Sequence, residues 1–112
     1  MKIGASLLMA GLLVTPALAA TQTFNDVPVV DVACSKKVAA DPDSHTRDCA
    51  LMCEKSGYGI VTPDKKFLKF DTDGNAKVLA ALKASDKKDH LRVNVSGDVQ
   101  GDTMKVTSVK LL

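Results

Sequence analysis

The sequence predicts a small, mainly β domain with two helices: a five-stranded, partly open barrel with a Cys-bearing helix inserted after the first strand. Three observations predict it. Short runs alternate apolar and polar residues, the mark of half-buried strands. The last two such runs, "HLRVNVSGDV" and "TMKVTSVKLL", are joined by "QGD", a Gly-containing hairpin signal. Two stretches with helical spacing, "SHTRDCALMCEKSG" and "AKVLAALKAS", interrupt the strand pattern.

The first twenty residues, "MKIGASLLMAGLLVTPALAA", read as a leader rather than as fold. Lys2 supplies the positive start, Ile3 to Val14 is apolar, Pro16 breaks the run, and Ala17-Leu18-Ala19 places small residues where a signal peptidase cuts. Residues 1–19 are expected to be a cleaved signal peptide, with the cut after Ala19 or one residue later. The apolar run is too short for a resident membrane helix, so no membrane association is expected after cleavage and the product is expected to be periplasmic or secreted. Residues 20–112 then form one OB-like domain, of a size at which a single core is modest and extra staples help.

Of the 112 residues, 15 are Lys or Arg and 13 are Asp or Glu. Removing Lys2 with the leader leaves a net charge of about +1, which argues against a nucleic-acid partner. The chain has no Trp, one Tyr and three Phe, too few for an aromatic platform on which bases stack.

In chain order, "TQTFND" within residues 20–27 reads as a loose lead, and "VPVVDVAC" as a strand ending near Cys34. The first helix has Ser44 or Asp43 to cap it and Gly57 to end it. "YGIVT" and "FLKFD" are strands joined by "PDKK", and "TDGN" is a turn whose Asp73 or Asn75 caps the second helix. Val78, Leu79 and Leu82 give that helix its apolar stripe. In the last strand Met104, Val106 and Val109 alternate with one slipped step, which a β-bulge absorbs. With the Cys-bearing helix set aside, five strands remain with a helix between the third and fourth, the order of an OB-fold.

The chemistry concentrates in Cys34, His45, Cys49 and Cys53. At about 100° per residue, His45, Cys49, Cys53 and Met52 would share one stripe of the first helix about 100° wide. Three readings fit. The stripe is simply a buried face, since Cys and Met are common core residues. Alternatively, Cys34 pairs with Cys49 or Cys53 in a disulfide, leaving one free thiol; Cys49 and Cys53 cannot pair within an intact helix, because residues four apart there hold their Cβ atoms about 5–6 Å apart and a disulfide needs about 3.5–4.5 Å. Lastly, all four side chains bind one soft ion, a Cys3His set suited to zinc or copper.

The segment Cys34, His45, Cys49-Ala50 and Cys53, followed by Gly57, resembles small exported bacterial OB-like proteins of unassigned function with a His-x-x-x-Cys-Ala-x-x-Cys segment after a first-strand Cys. That resemblance implies the fold and export and no particular activity. An enzyme is not expected: there is no third group to orient a Cys–His pair, no oxyanion hole and no CxxC pair. "DTDGN" starts like a calcium loop, yet its twelfth position is Leu82, so it is read as a turn and cap. His90 is read as an exposed residue at the start of a strand. The reading favoured is a non-enzymatic metal binder using Cys34, His45, Cys49 and Cys53. The alternative is a disulfide-stabilised module whose barrel face takes a peptide, glycan or protein.

Overall fold

The structure, a computed structural model, describes residues 20–112, and the expected leader lies outside them. Five strands, β1 (Ala20–Asp31), β2 (Tyr58–Val61), β3 (Phe67–Phe70), β4 (Arg92–Gln100) and β5 (Thr103–Leu111), close a barrel in the order β1-β2-β3-β5-β4. All neighbours are antiparallel except β3 and β5, which run parallel and meet at only two register pairs, Lys69↔Thr103 and Phe70↔Met104. This is the five-stranded OB-like barrel the strand order predicts, with its weakest seam between β3 and β5. Helix α1 (Arg47–Met52) lies between β1 and β2, and helix α2 (Thr72–Ala84) between β3 and β4.

Inward-facing residues at every second position fill the barrel: Val27 and Val29 of β1, Ile60 of β2, Leu68 and Phe70 of β3, Val93 and Val95 of β4, and Met104 and Val106 of β5. Val78 and Leu82 of α2 join the same core. Burial of these side chains, each contributing about 1.5–3 kcal/mol, drives the fold.

Residues 20–27 are not loose. They are the first two-thirds of β1, paired with β4 from Ala20↔Val99 onward. Cross-strand polar contacts hold this lead: the Thr21 hydroxyl donates to Asp98 at 2.7 Å and the Thr23 and Ser96 hydroxyls meet at 2.8 Å. Phe24 packs against the core. A bulge follows between Phe24 and Val27, where Asp26 takes φ 54°.

The slipped alternation in β5 is a bulge at Thr107: Gly97 pairs with Val106 but Ser96 with Ser108. The second helix starts earlier than its apolar stripe suggests. Asp71, not Asp73 or Asn75, is its cap, accepting from Gly74 N at 3.0 Å, and the same Oδ1 accepts from Val106 N at 3.1 Å. One carboxylate therefore starts α2 and ties it to β5. Asn75, inside the first turn, accepts from Tyr58 N at 2.8 Å and so ties α2 to β2.

Candidate metal centre

The segment from 42 to 56 differs from the single long helix expected. Pro42–Ser44 forms a 3-10 turn, His45 is extended (φ −68°, ψ 133°), and α1 covers only Arg47–Met52. The helix starts where it does because the Thr46 side chain accepts from Cys49 N at 3.2 Å. His45 therefore precedes the cap, and Cys53 is the C-cap residue with φ −103° and ψ 24°. Cys49 is the one helical member of the expected trio, so the four residues do not share a stripe. Met52 points to solvent, 83% exposed.

Three contacts fix α1, one to β2 of the barrel, one to the segment before β4 and one to α2. The Tyr58 hydroxyl donates to Ala50 O at 2.7 Å, beneath the buried Ala50. Arg47 N donates to Lys88 O at 2.8 Å, and Arg47 Nε to Leu82 O at 2.8 Å, the end of α2. Burial comes first among the causes that push the Tyr58 phenol up to about 12, followed by the negative charges of Glu54, Asp31 and Cys53.

The centre is built around Asp31, the last residue of β1. It continues the inward register of Val27 and Val29 and is fully buried. Its two oxygens have separate work. Oδ2 accepts from Cys34 N at 3.0 Å, capping the 3-10 turn Val32–Cys34. Oδ1 accepts from His45 Nε2 at 2.5 Å, and the imidazole is itself 4% exposed. A buried carboxylate is tolerated because it is paired and hydrogen-bonded.

The Asp31 carboxylate and the thiols of Cys34 and Cys53 form one group, with their ligand atoms all within 4.8 Å of one another. Cys34 and Cys53 are half-buried residues, whereas Asp31 is fully buried. Burial, then the charge and hydrogen bond of Asp31, then Cys53, push the Cys34 thiol up from 9.0 to about 11. A negative neighbourhood that opposes a thiolate is one that a cation would reverse.

Ser56 bridges the two Cys-bearing segments. Its hydroxyl donates to Cys53 O at 2.8 Å and accepts from Ala33 N at 3.1 Å. Val32 N donates to Gly57 O at 2.8 Å beside it. Gly57, with φ 85°, turns the chain from this bridge into β2.

Of the four expected ligands, the structure brings Cys34 and Cys53 together. His45 reaches the group through Asp31, and Cys49 stands exposed outside it. No cysteine is at disulfide distance among the described residues. Sequence reasoning missed Asp31 and Ser56. Asp31 carried a signal, an acid continuing an apolar every-second-residue register; Ser56 carried none. His90 is exposed, as expected, and bonds its neighbour Asp89 at 2.9 Å. No helix among the described residues is long and apolar enough to cross a membrane. Comparison with protein families, with curated proteins and with solved structures finds no match to this chain.

Proposed function

We propose that this is an exported, non-enzymatic protein that binds one soft or borderline divalent metal ion through Cys34, Cys53 and Asp31. The single observation that carries the reading is the convergence of two thiols and a buried carboxylate within 4.8 Å. Asp31 and Cys34 are held together by the cap of one 3-10 turn, whereas Cys53 arrives from a helix C-cap 22 positions beyond Asp31, with no local reason to meet them. Zinc binds thiolate sulfur and carboxylate oxygen in tetrahedral sites. His45 would then act behind the ligand set, orienting the Asp31 carboxylate as partners of metal ligands commonly do. Water would supply the remaining donor.

The donor set favours zinc over copper. Cu(I) prefers sulfur alone, and a carboxylate is a hard donor. The further soft donors of the segment, Met52 and Cys49, face solvent instead of the group. Both ligating thiols give up their protons on binding, so the apparent affinity rises with pH.

Elemental analysis of the protein isolated from its exported location, with titration of its thiols, tests the reading. It predicts about one equivalent of zinc, and a melting temperature that rises with added Zn²⁺ as expected for a ligand that binds only the folded state. A chain isolated without metal, and with a melting temperature indifferent to zinc, contradicts it.

A further inference from the structure

The metal donors Cys34 and Cys53 are also two thiols facing each other, and this has a consequence for how a bound ion leaves. We propose that the pair exchanges between a metal-bound dithiolate and a Cys34–Cys53 disulfide, so that a small-molecule disulfide expels the metal. The inference rests on the proposed metal site and adds the means of its release.

Geometry supports both states from one arrangement. Two thiolates on a tetrahedral zinc stand about 3.8 Å apart, given Zn–S bonds of about 2.3 Å. A disulfide brings the sulfurs to about 2.05 Å and the Cβ atoms to about 3.5–4.5 Å. In the structure the two sulfurs lie within 4.8 Å, so either state is a small displacement away. Cys53 still donates its N–H to Cys49 O at 3.2 Å, so the helical spacing bars a Cys49–Cys53 bond and leaves Cys34 as its partner. Both cysteines are half-buried residues at the protein surface and not core residues, which leaves room for a small oxidant to approach.

The step balances in two exchanges. One thiolate of the pair attacks the small disulfide, forming a mixed disulfide and releasing one small thiolate. The second thiolate attacks the protein sulfur of that mixed disulfide, closing the Cys34–Cys53 bond and releasing the other small thiolate. The protein sulfurs give up two electrons in all, and the oxidant's sulfur–sulfur bond takes them. Each released thiolate takes a proton from solvent. The divalent ion leaves with its charge unchanged, because the Asp31 carboxylate alone, already engaged by His45 and Cys34 N, is a poor site.

The test uses zinc-loaded wild-type protein and Cys49→Ser, each treated with oxidised glutathione while a chromogenic chelator reports free zinc. The expected result in both is one equivalent of zinc released, a peptide map joining Cys34 to Cys53, and recovery of zinc binding after dithiothreitol; in Cys49→Ser this accompanies the loss of two thiols, and in wild type any further loss maps to Cys49. Zinc retained while Cys49 alone forms a mixed disulfide overturns the exchange and leaves the metal reading standing. A reduced chain that takes up no zinc at all overturns both.

Discussion

Two histidine–aspartate pairs in this chain share their chemistry and differ in their surroundings. His45 and Asp31 meet at 2.5 Å with side chains 3% and 0% exposed, and they join a turn to a strand end 14 residues away. His90 and Asp89 meet at 2.9 Å, are sequence neighbours, and stand 66% and 58% exposed before β4. Between them lies Arg92 with Asp43, a two-pronged pair at 2.9 Å on both prongs that is 33% and 26% exposed. Water screens the exposed pair and competes for its partners. Water cannot compensate the buried one, so only there does losing one partner strand the other.

The largest expected effect follows directly. His45→Ala leaves the Asp31 carboxylate buried without its imidazole, and equilibrium urea unfolding should show a loss of about 3–5 kcal/mol. A loss similar to that of an exposed substitution would show that water reaches Asp31.

The half-buried pair comes next. Arg92 also donates to Asp26 O at 2.6 Å, so it fastens the 3-10 turn at 42–44 to both β1 and β4. Arg92→Ala should lower stability by about 1–2 kcal/mol. Its hydrogen bond to Asp43 holds that carboxyl below its ordinary 3.8. A depressed acid contributes stability that is complete above its unfolded value and lost as pH falls through the folded one. The gap between wild type and Arg92→Ala should therefore be constant at neutral pH and shrink below about pH 4.

At the other end of the scale, the Cys34 thiol is pushed up to about 11, first by burial and then by Asp31. A raised value favours the protonated form in the fold, so its contribution is full below 9.0 and lost as pH climbs through about 11. Wild type, free of metal, should lose melting temperature over that window more steeply than Cys34→Ser does. The smallest effect belongs to His90→Ala, which should leave the melting temperature unchanged at pH 5 and at pH 8. A shift there would mean that exposure is a poor guide to these pairs.

The same contrast explains what the sequence disclosed. The barrel was legible because its strands alternate with period two, and because a Gly-marked hairpin closes the chain. The bulge in β5 was legible as a slip between Val106 and Val109. The shape of the site was less so. Helical spacing placed His45, Cys49 and Cys53 on one face, but the Thr46 cap starts the helix after His45 and the chain leaves it at Cys53. A cap of one hydrogen bond decided this, and Ser44, Asp43 and Thr46 compete for it on equal terms in sequence. Asp31 lies unremarked in the strand "VPVVDVAC" because its partner, His45, comes from a segment whose path only tertiary packing sets. The lead at 20–27 looked loose because cross-strand pairing with β4, some 70 residues on, is invisible locally.

The account's central claim is that Cys34, Cys53 and Asp31, and not the exposed Cys49, hold the ion. Titration with Co²⁺, followed by its sulfur-to-metal charge-transfer absorbance, tests this most directly. Wild type and Cys49→Ser should reach the same intensity at one equivalent, Cys34→Ser and Cys53→Ser should each lose it, and Asp31→Asn should weaken binding. Charge-transfer absorbance that vanishes in Cys49→Ser and survives in Cys34→Ser would contradict it.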